Sequence, residues 1–199
     1  MELDALTRKV LERLFIELEA SGRHVHVTKQ QALTLFGHEL TPQRELSQPG
    51  QFLANERVTV KGPKGELHNV AVLGPERKEG QVEVSLTDGK ALGITPPVRL
   101  SGQVEGTPGA VLTGPMGQVR LRQGVIAARR HIHLPPDKAK LLGVEDKQVV
   151  KMQTFTSRPL IFDDVVVRVS EDFAAYAHLD YDEANACGMQ CGDLGRILP

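Results

Sequence analysis

The hydrophobic pattern of the chain changes period near residue 15. Before it, Leu3, Leu6, Val10 and Leu14 recur at spacings of three and four with charged residues between them. That spacing predicts an amphipathic docking helix over residues 1–14. From Phe15 to Ala20 the period becomes two, which predicts a strand that runs on through Ser21 and Gly22 into Arg23-His-Val-His26. Further β-rich runs lie at 58–60, 70–72, 82–84, 119–121, 149–150 and 164–169, separated by Gly and Pro. Two turns share a pattern, Gly62-Pro-Lys-Gly65 and Gly114-Pro-Met-Gly117, and each is suited to a hairpin. Many short strands with few helices predict a mainly β protein made of small barrels rather than a parallel α/β sheet.

A second periodicity lies at the level of whole units. Four times, a polar residue type near the end of a β-like run is followed by a short helix ending at glycine. His24-Val-His26 leads to a helix from Thr28 to Gly37, and Glu83 leads to one from Thr87 to Gly93. His131-Ile-His133 leads through Pro135 and Pro136 to Gly143, and His178 leads through Asp180 to Gly188. Thr28, Thr87 and Asp180 are the predicted N-caps, prolines open the remaining helix, and glycine suits the left-handed residue that ends each one.

Composition narrows the classes of partner. Net charge is -1, with 24 basic and 25 acidic residues mixed along the chain, so no long-range field favours nucleic acid or an anionic membrane. There is no tryptophan, and tyrosine and phenylalanine together are too few to make base-stacking platforms. Two cysteines, no secretory signal and no membrane-spanning apolar run fit a reduced cytoplasmic setting.

The repeated units carry candidate chemistry. On a strand, residues i and i+2 share a face about 6.5–7 Å apart, so both imidazoles of a His-x-His can close on one ion at ~2.0–2.1 Å. A third donor from the following unit completes each set: His24, His26 and Glu83 for one ion, His131, His133 and His178 for the other. Three protein ligands leave an open position, as catalytic zinc has, whereas structural zinc is closed by four ligands, usually with cysteine. Glu83 is the ligand that the pattern leaves open, because Gln-Val-Glu-Val also fits an edge strand with a solvated carboxylate. His38 and His68 lack such partners and are expected at the surface. Cys187 and Cys191 are four apart, but Gly188 interrupts the helix between them and no base stands beside them, so neither receives a role.

Taken together, Arg23-His-Val-His26, Leu46-Ser-Gln-Pro-Gly-Gln51, Val58-Thr-Val-Lys-Gly-Pro-Lys-Gly65, Val84-Ser-Leu-Thr-Asp88, Gly124-Val-Ile-Ala-Ala128, Arg130-His-Ile-His133 and Asp182-Glu-Ala-Asn185 resemble the PduL-type phosphate propanoyltransferases, across nearly the whole chain. The resemblance implies reversible acyl transfer between acyl-CoA and inorganic phosphate, with two zinc ions per chain and coenzyme A as substrate or product. It places metal ligands on His24, His26, Glu83, His131, His133 and His178 and a phosphate-binding arginine on Arg77. It also implies two interleaved β-barrels with short capping helices: 15–22 with 129–199 in one, and 23–128 in the other. Residues 1–14 are then an encapsulation segment for the shell or lumen enzymes of a bacterial microcompartment, or a helix that packs on a barrel or a second subunit. A homo-oligomer is the expected assembly.

Zinc suits the chemistry so implied, because a borderline-soft cation can hold a thiolate, and a second one can bind phosphate or polarise the carbonyl. Arg77 would add a bidentate grip on phosphate. No residue is marked as an activated nucleophile, so phosphate is expected to attack directly, without an acyl-enzyme. A dinuclear zinc hydrolase of thioesters or phosphoesters fits the same ligands, and a non-catalytic metal-binding scaffold would instead show closed metal sites. Acetyl and propanoyl chains are not separated by sequence, since one methylene in an apolar pocket is worth only about 1–3 kcal/mol.

Overall fold

The computed structural model describes Thr7, Val10, Leu11 and residues 13–198. Thr7, Val10, Leu11, Arg13 and Leu14 are helical and exposed; the rest of the predicted N-terminal helix lies outside the described residues. In chain order there follow β1 (Ile16–Ser21), β2 (His24–His26), α1 (Lys29–Phe36), β3 (Pro42–Glu45), β4 (Phe52–Lys61), β5 (Glu66–Gly74), β6 (Gln81–Val84) and α2 (Leu86–Leu92). Next come β7 (Val98–Arg99), β8 (Ala110–Thr113), β9 (Gln118–Leu121), β10 (Val125–Ala128), β11 (His131–Leu134) and α3 (Pro136–Leu142). The chain closes with β12 (Val149–Phe155), β13 (Ile161–Val169), β14 (Tyr176–Asp180), α4 (Tyr181–Cys187) and β15 (Leu194–Ile197). The protein is mainly β, as its pattern predicts.

Two compact units result. One joins Met1–Ser21 to Arg130–Pro199, and the other is Gly22–Arg129. In the first, β1-β14-β11-β13-β12-β15 close into a six-stranded barrel. In the second, β7-β10-β6-β2-β5-β4-β8-β9 form an open sheet, with β3 paired on β4. The strand predicted to run unbroken from Phe15 to His26 is interrupted at Gly22 and Arg23. β1 belongs to the barrel and β2 to the open sheet, so an unbroken period-two pattern concealed a change of sheet.

Strict alternation decides what each strand buries. In the barrel, Ile16, Leu18, Ile132, Leu134, Val165, Val167, Ala177 and Leu179 fill one core with Met152. The alternate residues of β11 and β14, among them His131, His133 and His178, therefore face the other side. In the open sheet, Val25, Val27, Val70, Val72, Val82 and Val84 enter the core, which turns His24, His26, Gln81 and Glu83 to the opposite face.

Each of the four short helices ends at a glycine with positive φ: Gly37, Gly93, Gly143 and Gly188. Thr28 and Asp180 cap α1 and α4 in capping boxes, and Pro135 opens α3 without a side-chain hydrogen bond. The predicted cap Thr87 is wrong. Ser85 caps α2, its hydroxyl accepting from the amide of Asp88 at 3.2 Å; a Ser two residues upstream with an acid three residues on forms the same box.

Both Gly-Pro-x-Gly sequences are hairpin turns, joining β4 to β5 and β8 to β9, and each is closed by an amide-to-carbonyl bond of 2.9 Å between its glycines. Each also seats on the end of a helix. The amide of Lys64 donates to the Leu92 carbonyl, and that of Met116 to the Leu35 carbonyl, both at 3.0 Å. The contact is close enough that a Cβ on Gly62 would come within 2.3 Å of the Leu92 oxygen, and one on Gly114 within 2.4 Å of the Leu35 oxygen.

Two candidate metal centres

The cross-strand ladder puts the third donor of each set directly opposite the first. β2 runs antiparallel to β6 with His24 facing Glu83, Val25 facing Val82 and His26 facing Gln81. β11 runs antiparallel to β14 with His131 facing His178, Ile132 facing Ala177 and His133 facing Tyr176. Directly opposed residues on one face have Cβ atoms about 4.5–5.5 Å apart, so two His-x-His residues and the residue opposite the first form a compact triangle. In each set the three ligand atoms lie within 4.8 Å of one another.

Five of the six side chains are buried, and His178 is half-buried. β6 is an interior strand between β2 and β10, and Glu83 is 6% exposed; the edge-strand alternative left open by its sequence is excluded. His24 Nδ1 lies 2.7 Å from the Gly22 carbonyl and His26 Nδ1 lies 3.2 Å from the Leu73 carbonyl. A carbonyl only accepts, so both Nδ1 atoms carry a proton, and the Nε2 atoms are left as the donors that a metal ion could use once deprotonated. These Nε2 atoms stand 3.5 and 3.8 Å from Glu83 Oε1. Histidines oriented through Nδ1 by backbone carbonyls are what metal ligation requires of its supporting shell.

Glu83 is held in turn. Gln81 Nε2 donates to Glu83 Oε1 at 2.5 Å and to Ser101 Oγ at 2.9 Å, while Gln81 Oε1 accepts from the Gly102 amide at 2.7 Å. Arg77 Nη1 donates to the same Ser101 hydroxyl at 2.8 Å, and the Arg77 amide donates to the Val27 carbonyl. Burial alone would raise the Glu83 pKa, but the charge and hydrogen bond of His24, with His26 behind, hold it well below the usual carboxylate range. Burial lowers His26 well below an ordinary histidine, helped by the charges of His24 and Arg77. For His24 burial is outweighed by Glu83, and its pKa rises.

The barrel set has no carboxylate among its three donors. His131, His133 and His178 pack ring against ring with centroids 4.6–5.0 Å apart. His133 stacks on Phe173 at 4.1 Å, and the Arg168 guanidinium lies over the Phe173 ring at 5.5 Å. Burial, then the charges of His131, His178 and Arg168, push the His133 pKa down to about 2. That ring is a neutral imidazole, the form that binds metal. Both of its nitrogens are buried and make no hydrogen bond among the described residues. Buried polar atoms are nearly always paired, and a divalent ion in the His131, His133 and His178 triangle would satisfy a nitrogen that protein leaves without a partner. The donor chemistry of both sets thus fits a transition-metal ion bound by three residues with an open position.

Three residues that sequence reasoning did not single out bear on these centres. Glu19, paired with His178 in the parallel β1–β14 ladder, puts Oε2 3.4 Å from His178 Nδ1. Gln81 was detectable, since it shares the face of Glu83 two residues away. Ser101 carried no local signal. His38 and His68 have exposed side chains, as expected. Cys187 is buried in the barrel core and Cys191 is exposed, and both are free thiols.

Fold and donor sets together define a class: a barrel-and-sheet β protein in which paired strands build two buried centres of metal-binding type. The phosphate propanoyltransferase family model matches residues 17–190. A phosphate propanoyltransferase of Listeria monocytogenes is 51% identical over 198 residues, spanning 98% of this chain and 93% of that relative. One from Enterococcus faecalis is 55% identical over 184 residues, with 92% and 87% covered, and one from Clostridioides difficile is 48% identical over 198 residues, with 98% and 95% covered. The chain belongs to the phosphate propanoyltransferase family, which bears out the resemblance seen in its motifs.

Proposed function

We propose that this protein is a phosphate acyltransferase that moves a short acyl group, propanoyl or acetyl, reversibly between coenzyme A and inorganic phosphate with the help of two zinc ions. The observation that carries the proposal is the repeated ladder, in which each His-x-His meets a third donor across the strand, in a chain of this family. His24, His26 and Glu83 would hold one ion, and His131, His133 and His178 the other. Zinc bound there supplies Lewis-acid stabilisation of phosphate, of charge developing on the carbonyl oxygen and of the departing thiolate.

The chain's own groups do the rest. Arg77 stands near enough to lower the pKa of His24 and His26, and Ser101 fixes one side of its guanidinium. It would grip a phosphate oxygen and orient the nucleophile. A phosphate oxygen then forms the new bond to the carbonyl carbon while the carbon–sulfur bond breaks, and the electron pair leaves with sulfur to give coenzyme A. No acyl-enzyme is needed. Burial raises the Cys187 pKa, which disfavours the thiolate that a covalent route would require.

Zinc-loaded protein given propanoyl-CoA should release coenzyme A only when phosphate is present, with acyl phosphate in equal amount. Thiol release without phosphate would replace transfer by hydrolysis, and acylated protein formed from acyl-CoA alone, seen by intact mass, would overturn direct attack. For location, residues 1–14 are assigned here to docking within a bacterial microcompartment. Their deletion should leave acyl transfer unchanged while the protein loses its association with shell or lumen enzymes.

A further inference from the structure

Both His-x-His segments are preceded by arginine, and the two arginines make the same connection. Arg23 Nη2 lies 3.1 Å from Asp88 Oδ1, and Arg130 Nη1 lies 2.5 Å from Glu183 Oε1. Each acid is the N3 residue of a capping box. Its second oxygen accepts the amide of the N-cap residue, Ser85 for Asp88 at 3.4 Å and Asp180 for Glu183 at 3.2 Å. Each N-cap stands two residues after the third donor of its set, Glu83 or His178. The arginine adjoining the first donor is therefore tied, through one carboxylate, to the chain just beyond the third donor.

We infer that Arg23 and Arg130 are positioning residues, each clamping the two ligand-bearing strands of its own centre in register so that the three donors are assembled before metal arrives. The inference rests on the metal-binding role proposed above. The clamp closes a circuit of side chain, helix cap and strand ladder at the point where β6 and β14 turn into their helices, where a ligand strand is freest to swing. Its carboxylate also neutralises the guanidinium, which lets a cation stand beside a cation site without repelling the incoming ion. The Arg130 clamp is the tighter of the two. Its Nε donates to the Asp163 carbonyl at 2.6 Å and its guanidinium lies over Phe162 at 5.8 Å, whereas the Arg23 side chain is 40% exposed. Supporting partners of metal ligands typically carry ~10–100-fold in metal affinity.

The test is a zinc competition titration of the full-length protein against a chromophoric chelator, with thermal denaturation of the metal-free form alongside. Arg23→Gln should weaken one of two zinc equivalents about 10-fold, and Arg130→Gln the other about 100-fold, each leaving the companion equivalent at the wild-type affinity. Asp88→Asn and Glu183→Gln keep an oxygen for the N-cap amide, so they preserve the helix start and serve if an arginine variant fails to fold. They should weaken the same equivalents as their arginine partners. Arg23→Lys, which can still reach Asp88 as a point charge, should restore most of the affinity, and Arg130→Lys, which cannot also serve Asp163, only part. Folded variants that bind both equivalents within about 2-fold of wild type, or that lose both together, would overturn the clamp. Wild-type protein that binds no zinc would instead overturn the metal-binding role itself.

Discussion

Opposite His131 the barrel places His178, and opposite His24 the open sheet places Glu83. The rung is the same and the charge is not. Three neutral imidazoles leave a divalent ion its full charge, whereas the carboxylate cancels one unit of it. Around the sheet centre Gln81 and Ser101 grip the Glu83 carboxylate directly. Around the barrel centre the anion sits one step further out, where Glu19 reaches Nδ1 of His178. At the position that Glu19 occupies beside His178, the sheet unit carries Ile126 beside Glu83. The backbone ladder thus fixes where donors stand, and side-chain choice distributes the charge between ligand and support.

The largest effect should come from deleting a ligand outright. His133→Ala and His26→Ala should each lose one zinc, and acyl transfer should fall more than about 100-fold, since loss of a mere supporting partner already costs ~10–100-fold. Metal analysis beside the rate checks this; full activity with one ion would show that the two centres are not equivalent in need. Next in size is Arg77→Gln, beside the sheet centre. Losing a charged hydrogen bond worth ~1.5–3 kcal/mol should lower kcat/KM for phosphate roughly 10–100-fold, with KM for acyl-CoA nearly unmoved. Glu83→His makes the sheet centre a copy of the barrel centre. Two zinc ions should remain while turnover drops on the order of 10-fold; loss of the ion would mean that charge, not ladder position, retains it.

Smaller effects separate the two architectures. In the open sheet two hairpin turns seat on helix ends at glycines, Gly62 and Gly114, whereas the β12–β13 turn of the barrel meets the end of α4 through the Arg158 amide and the Cys187 carbonyl, so Gly62→Ala or Gly114→Ala should destabilise by about 1–3 kcal/mol in chemical denaturation. The helices after the two His-x-His segments differ least. Thr28→Ala removes the hydroxyl that accepts the Gln31 amide at 3.1 Å and should cost about 1 kcal/mol, while Pro135→Ala removes no cap bond and should cost less. A comparison of midpoints in urea reads both.

The grouping of His24, His26 and Glu83, and of His131, His133 and His178, was legible because the signals are local. A His-x-His on a strand announces a shared face, and the strand-to-helix unit recurs with its terminal glycine, so His178 could be matched to its set. Glu83 was harder, since Gln-Val-Glu-Val alternates as a half-solvated edge strand does, whereas every residue of β6 is buried. What stayed hidden depends on pairing between distant segments. Glu19 meets His178 only because β1 and β14 run side by side, and Ser101 reaches Glu83 from an irregular stretch with no periodicity. β3, Pro-Gln-Arg-Glu, is wholly exposed and has no apolar residue to betray a strand. The false continuity from Phe15 to His26 had the same origin, because two residues of irregular backbone, Gly22 and Arg23, redirect the chain without disturbing its hydrophobic alternation.

The barrel is made of the chain's two ends, and that ordering affects how it can be synthesised. β1 emerges from the ribosome first, yet its ladder partners β14 and β15 emerge last. At roughly 5–20 residues per second it waits on the order of ten seconds with both edges unpaired. Glu17 and Glu19, on the face turned from the core, give this early strand the charge that discourages premature pairing with other nascent chains.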